Sequence, residues 1–136
     1  MKMLGYEALI TADGATGATT ALNGAIVDMD GFENVLFIAG ATVTSTAQWL
    51  KMQMGTATDA MSDATGQVDH TQATLYLDVH RPIKRFVRGV FTASGASSPY
   101  RSLITVQYGA RVKPTTNATT VALDTLYSPA SGTATG

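Results

Sequence analysis

Hydrophobic and polar residues alternate along several short stretches of this chain. The period is two, which is typical of a half-buried β-strand. The pattern is clear in the stretch 48–54, where three apolar residues are predicted to point one way and three other residues the other way. The first set is Leu50, Met52 and Met54, and the second is Trp49, Lys51 and Gln53. The same alternation recurs in 75–80, where an apolar set alternates with Tyr76, Asp78 and His80.

Eight short stretches have this strand-like character, and they are separated by residues that favour turns. They are residues 6–10, 19–28, 34–43, 48–54, 75–80, 84–93, 102–112 and 121–127. Residues 11–17 have the composition of a turn, and 55–66 form a loop long enough for one helical turn. The Asp30-Gly31 pair predicts a hairpin between 19–28 and 34–43. Pro82 ends a strand or confines it to a sheet edge.

The pattern predicts an all-β fold, which is a jelly-roll-like antiparallel β-sandwich or barrel of about eight short strands. Strand order does not follow from the pattern. A chain of 136 residues is long enough for one domain with a real core. We expect a single β domain over 1–127 and an extended C-terminal tail over 128–136.

Composition excludes some classes of function. The chain has no cysteine, so disulfides, thiolate metal sites and cysteine nucleophiles are ruled out. Apolar runs are too short to span a membrane as a helix, and no signal-peptide core follows Met1. We therefore expect a soluble protein that has no membrane partner.

Charge is divided unevenly along the sequence. Residues 1–78 contain nine acidic and two basic residues, whereas 81–113 contain seven basic residues and no acid, within a chain of net charge −1. Such a division predicts acidic and basic segments that pair with each other, either within one chain or between neighbouring surfaces. We expect most of the pairing to lie within the chain, with 81–88 as the exception.

Residues suited to catalysis are scarce. The only histidines are His70 and His80, and no Gly-x-Ser-x-Gly motif accompanies them. Together with Asp69 and Asp78 they form an incomplete candidate set of metal ligands. Residues 28–33 resemble part of a calcium loop but lack its later ligands. We expect no enzymatic activity, no cofactor and no metal.

The stretch 80–89 is rich in arginine and lysine, and Phe86 within it is a candidate for stacking on a base. Strand alternation over 84–93, however, predicts that Arg85 lies on the face opposite Phe86 and Arg88. The whole chain is also slightly acidic, so binding to nucleic acid is disfavoured. Trp49 is predicted either to be buried or to anchor an interface.

Three segments in the C-terminal half carry a family resemblance. They are residues 79–89, 104–111 and 126–134, and in this order they resemble the capsid cement, or decoration, proteins of tailed bacteriophages. That resemblance implies a small β domain on the outer surface of an icosahedral head, where it clamps neighbouring subunits of the major capsid protein. It also implies a dimer or trimer on a local symmetry axis. The candidate interface residues are Arg81, Lys84, Arg85, Arg88, Trp49, Tyr127 and Pro129.

Other functions remain open at this stage. A tail, head–tail connector or fibre-base protein would have a similar composition, but it would be present in far fewer copies per particle. A carbohydrate-binding module of jelly-roll type would need an exposed aromatic platform around Trp49, with amide and acid partners nearby. A metal-dependent cupin-like enzyme is the weakest alternative because two histidines are too few.

Overall fold

The described part of the chain consists of β-strands joined by turns and loops. The computed structural model describes residues 8–16, 22–41, 48–69, 71–72, 74–93 and 100–111. These residues form ten strands and no helix. The strands are β1 (Ala8–Thr16), β2 (Leu22–Asn23), β3 (Val27–Asp28), β4 (Asn34–Ala41), β5 (Gln48–Gly55), β6 (Met61–Asp63), β7 (Val68–Asp69), β8 (Thr74–His80), β9 (Phe86–Ala93) and β10 (Tyr100–Tyr108).

The strands form two antiparallel sheets. Sheet A has the order β1-β10-β4-β8, and sheet B has the order β2-β9-β5-β6, with β3 also on β9 and β7 also on β5. β2 and β3 are therefore two pieces of one strand position, as are β6 and β7. Counted in this way, the described strands occupy four positions in each sheet, or eight in all. In chain order, the first of these eight positions pairs with the eighth, the second with the seventh, the third with the sixth and the fourth with the fifth. This nested order is that of a jelly roll, so the predicted all-β fold is confirmed.

Strand β1 is longer than the sequence pattern predicts. Residues 11–16 were expected to form a turn, but the whole of Ala8–Thr16 pairs with β10 in continuous register, from Ala8 opposite Tyr108 to Thr16 opposite Tyr100. The neighbouring strand supplies main-chain partners along this whole length, and these outweigh the weak strand propensity of Asp13 and Gly14. The prediction of a turn there was wrong.

The Asp30-Gly31 turn does not make the predicted hairpin. Gly31 has a φ of +88°, a conformation that suits glycine, so a turn is present. However, β3 pairs with β9 in sheet B, whereas β4 pairs with β10 and β8 in sheet A. Residues 29–33 therefore cross from one sheet to the other. The proposed last strand at 121–127 and the tail at 128–136 lie outside the described residues.

The core lies between the sheets and is formed by the inward-facing positions of alternating strands. Its largest fully buried apolar side chains are Phe37, Phe91, Leu50, Leu103, Val35 and Val87. The alternation in β5 and β8 is as predicted: Leu50 and Leu75 are buried, whereas Lys51 is half-buried and Tyr76 exposed. β8 ends at His80, two residues before Pro82, and is an edge strand, as the proline predicts.

Candidate interaction surface

Two loops of opposite charge meet at one end of the sandwich. We call residues 29–33 the acidic loop and residues 81–85 the basic loop. Main-chain hydrogen bonds join them: the N–H of Met29 donates to the carbonyl of Arg85 over 2.8 Å, and that of Arg81 donates to the carbonyl of Glu33 over 2.9 Å. Both loops cross between the sheets, so this end of the fold depends on their pairing.

Arg85 and Asp28 form the strongest charged contact between these regions. Nε of Arg85 donates to Oδ1 of Asp28 over 2.9 Å, and Nη2 donates to Oδ2 over 2.7 Å. This two-bond geometry is the one that best matches a guanidinium to a carboxylate. The hydrogen bond from Arg85 lowers the pKa of Asp28 below its usual value. The carboxylate also accepts a bond from the main-chain N–H of Asp30. Asp28 is therefore engaged in an ion pair rather than in an open calcium loop.

Arg85 does not lie where strand alternation predicted. β9 begins at Phe86, so Arg85 belongs to the basic loop. The alternation of inward and outward side chains along the strand therefore does not fix the direction of the Arg85 side chain. Its guanidinium carbon lies 5.3 Å from the centre of the Phe86 ring, close enough for a cation–π contact. The predicted separation of Arg85 from Phe86 was therefore wrong. Within the strand the prediction was correct, because Val87 is fully buried whereas Phe86 and Arg88 are only partly buried.

A depression of about 610 Å³ lies between the loops. Its lining residues are Met29, Asp30, Gly31, Phe32, Glu33, Arg81, Pro82, Ile83, Lys84, Arg85 and Arg111. Arg81 approaches Glu33 only to 4.0 Å, and no ion pair of Lys84 or Arg111 is present among the described residues. Among the described residues, the lining of the depression therefore carries more positive charge without a close carboxylate, on Arg81, Lys84 and Arg111, than negative charge without a close cation.

Ile83 projects from the basic loop with 82% of its surface exposed. Tyr76, at 70%, is the other strongly exposed large apolar residue of the described part, and it lies on the outer face of sheet A. Ile83 stands between Pro82 and Lys84, so an apolar side chain is exposed next to a cation at this end of the sandwich. Sequence analysis identified the basic segment but missed Ile83, although its position between a proline and two basic residues indicated a loop.

A second charged network lies on the outer face of sheet B. Asp63 on β6 accepts hydrogen bonds from Nζ of Lys51 and Nε2 of Gln53, each over 2.7 Å. Gln53 in turn accepts from Nε of Arg88 over 2.8 Å. The bond from Lys51 is the main cause that lowers the pKa of Asp63. Arg88 is therefore partly satisfied within the chain.

Trp49 lies on this same face, half-buried, and opposite Thr92 and Asp69 in the strand register. The structure thus separates the predicted interface residues into two groups. Arg81, Lys84 and Arg85 lie in the basic loop, whereas Trp49 and Arg88 lie on the outer face of sheet B. The candidates Tyr127 and Pro129 lie outside the described residues.

The candidate metal ligands have other partners where they are described. Asp78 accepts a hydrogen bond from the hydroxyl of Tyr108 over 2.6 Å, and Nδ1 of His80 bonds to Oδ1 of Asn34. Asp69 accepts from the side-chain amide of Gln67. Within the described ranges, no three acidic, histidine or cysteine residues come close enough to hold a metal ion. The same ranges contain no helix that is long and apolar enough to cross a membrane. His70 is not among the described residues.

No protein-family model matches this chain, and no curated protein matches it. Among solved structures, it is similar to a protein from the disulfide-linked pili of Bacillus endospore appendages. The two chains are 15% identical, with a TM-score of 0.47 over 76% of this chain and 87% of that one.

Proposed function

We propose that this chain is a structural protein of a tailed bacteriophage, which binds the outside of the icosahedral head and clamps neighbouring major capsid protein subunits. The observation that carries the proposal is the basic loop, where Ile83 is exposed beside cations at one end of a β-sandwich. The family resemblance of residues 79–89 covers this same loop.

The basic loop is held in a defined position, as a clamp requires. Its two ends are fixed by main-chain bonds to the acidic loop, and Arg85 is tied to Asp28 by two hydrogen bonds. Little conformational entropy is then lost on binding, so more of the contact energy contributes to affinity. Arg85 thus supports the loop, and Ile83 and Lys84 are the residues that face the partner.

The chemistry of the loop defines the surface that it fits. Ile83 needs an apolar cavity, and the cations of Arg81, Lys84 and Arg111 need carboxylates around that cavity. Each contact is modest, but a clamp engages two or more subunits at once, and simultaneous engagement multiplies weak affinities. Dimers or trimers of this chain would extend the same effect over a local symmetry axis of the head.

Co-sedimentation with isolated heads of the phage that encodes this chain tests the proposal. The purified protein should pellet with heads that lack it, at a stoichiometry of hundreds of copies, and should raise the temperature at which those heads open. The variant Ile83→Asp should bind much more weakly. Thr71→Asp is the control, since Thr71 is also exposed but lies before β8 begins, at the end of that strand away from the basic loop, and it should bind like the wild type.

Two outcomes would contradict the proposal. One is the absence of binding together with equal heat resistance of heads with and without the protein. The other is saturation at a dozen copies or fewer per particle, which would identify a tail, connector or fibre-base protein instead.

A carbohydrate-binding function is the second candidate, and the surroundings of Trp49 favour it. The half-buried indole lies on the outer face of sheet B, and across the register lies Asp69, whose carboxylate is bonded to the amide of Gln67 over 2.8 Å. The acid and the amide near this ring are the polar partners that a sugar-binding site needs, and the exposed part of the indole is the surface that a sugar ring would contact. Glycan-array binding that is lost in Trp49→Ala would support this function, and an array without any signal would count against it.

A further inference from the structure

A second, mostly apolar groove of about 470 Å³ lies between the edges of the two described sheets. On this side of the sandwich, β8 ends sheet A and β6 and β7 end sheet B. The groove is lined by Met52, Met54, Ala64, Thr65, Gly66, Gln67, Leu77, Val79, Arg81, Pro82 and Ile83. It adjoins the basic loop, and Ile83 lies on the boundary between this groove and the depression described above.

A bulge in the edge of sheet B is what opens the groove. Asp63 of β6 lies opposite Gln53, and Val68 of β7 lies opposite Leu50. The four residues 64–67 therefore stand opposite only two residues of β5. The N–H of Ala64 still donates to the carbonyl of Met52 over 2.9 Å, so residues 65–67 are the ones that leave the ladder, as in a bulge. Side chains of Met52 and Met54 consequently line the groove, and methionine adapts well to varied partners.

Strand β8 presents one main-chain edge beside this groove that no other described strand pairs with. Among the described strands it pairs only with β4, so the amide and carbonyl groups on its other side have no strand partner. Leu77 and Val79 face the groove at alternate positions. An unpaired edge next to apolar pockets at a spacing of two residues is the arrangement that binds an extended peptide by strand addition.

Charge at the groove defines one further property of its occupant. Arg81 is the one charged side chain among the lining residues, and its nearest described carboxylate, Glu33, is 4.0 Å away. The side chain of Arg81 is 71% exposed and that of Glu33 is 40% exposed, so this long contact is weak. An incoming carboxylate would therefore find Arg81 available for a shorter bond.

We infer that this groove receives an extended segment of the major capsid protein, which adds to β8 as a further strand of sheet A. The segment places apolar side chains at alternate positions over Met54, Leu77 and Val79, and a carboxylate at Arg81. This inference rests on the proposed function and specifies which part of the partner is bound. Ile83 contacts the capsid surface, while the groove holds a strand that extends from it.

A site-specific photo-crosslinking experiment tests this inference. A benzoylphenylalanine placed at Thr65, an exposed residue that lines the groove, should crosslink to one short stretch of the major capsid protein on intact heads. The same probe at Thr58, which is exposed but does not line the groove, should give no such product. Amide hydrogen exchange at Tyr76–His80 should also slow when the protein binds to heads.

The second measurement is the affinity for heads of a variant in which a large side chain fills the groove. Thr65→Trp should lower the affinity for heads by roughly tenfold or more, a loss typical of a blocked central contact, whereas Thr58→Trp should leave it unchanged. If the protein binds heads but position 65 gives no capsid crosslink, this inference fails and the proposed function stands. A crosslink to a second copy of the chain would also overturn it. If the protein does not bind heads at all, both the proposed function and this inference are wrong.

Discussion

Gly89 of β9 and Phe37 of β4 meet across the centre of the sandwich, one from each sheet. A Cβ atom built on Gly89 would lie 2.8 Å from Cδ1 of the Phe37 ring and 3.3 Å from Cδ1 of Leu103. Real Cβ atoms essentially never come within 2.8 Å of another atom, so the phenyl ring occupies the space that a side chain at position 89 would need. Absence of a side chain at Gly89 is thus a packing requirement of the core.

Gly89→Ala should destabilise the fold by about 1 to 3 kcal/mol, the usual cost of overpacking a well-filled core. Chemical denaturation monitored by circular dichroism measures this difference. Phe37→Leu in the same background provides the control: it is costly alone, but it makes room for the new methyl group. The cost of Gly89→Ala should therefore shrink in the double mutant, and purely additive effects would show that the two residues do not compete for the same space.

Thr105 is a second unusual core residue, and replacing it should stabilise the protein. Its side chain is fully buried in the central strand β10, and its hydroxyl has no hydrogen-bond partner within the part of the chain that the structure describes. Thr105→Val removes a desolvated polar group at nearly constant shape and should raise the free energy of unfolding by about 1 kcal/mol. Thr105→Ser is the matched control, since it keeps the hydroxyl and loses the methyl group. It should lower stability by about 1 kcal/mol, and a loss of stability in Thr105→Val would contradict the argument.

Most of the fold was predictable because alternation is a local property of the sequence. The strands β4, β5, β8 and β9 begin and end within a few residues of their predicted limits, and the inward and outward faces of β5 and β8 are as predicted. The strand predicted at 102–112 is present as β10, with Ile104, Val106 and Tyr108 at alternate positions. The positions between them carry the fully buried side chains of this strand, namely Leu103, Thr105 and Gln107.

What the sequence did not reveal depends on contacts between distant residues. Gln107 is stable in the core because its amide donates to the main-chain carbonyl of Asp28 over 2.6 Å, a partner 79 positions away. The candidate surface was only half predictable for the same reason. Charge division indicated that acidic and basic segments pair, but the link between Arg85 and Asp28 follows from two crossover loops that meet at one end of the jelly roll.

That link should make stability sensitive to acid. The pKa of Asp28 is lowered in the folded state, mainly by its hydrogen bond from Arg85. A depressed pKa means that the stabilisation is present above the unfolded value of 3.8 and is lost as the pH falls through the lower folded value. Melting temperatures measured from pH 6 down to about pH 2 should therefore fall less steeply in Asp28→Asn than in the wild type.

The size of this acid effect is limited because both side chains are partly exposed, 57% for Arg85 and 42% for Asp28. Lys84→Gln is the matched control, since it removes a neighbouring cation that has no described ion pair, and it should retain the slope of the wild type. Equal slopes in Asp28→Asn and the wild type would show that the ion pair does not contribute to folding.

Tyr108 should ionise at unusually high pH because its hydroxyl donates to Asp78. The hydrogen bond to that carboxylate, together with burial, raises the pKa of Tyr108 to about 12. A raised pKa means that the stabilisation is complete below the unfolded value of 10.0 and is lost as the pH rises toward 12. Ultraviolet absorbance titration at the tyrosinate band measures the transition, and the difference from Tyr108→Phe isolates it from the other four of the five tyrosines.

Removal of the carboxylate tests the cause of this shift. Asp78→Asn abolishes the negative charge that opposes formation of the tyrosinate and weakens the hydrogen bond, so the transition of Tyr108 should move down toward 10. Asp69→Asn is the matched control because Asp69 is also exposed but bonds to Gln67 instead, and it should leave the transition in place. If Tyr108 titrates near 10 in the wild-type protein, the contact between β10 and Asp78 is not formed in solution.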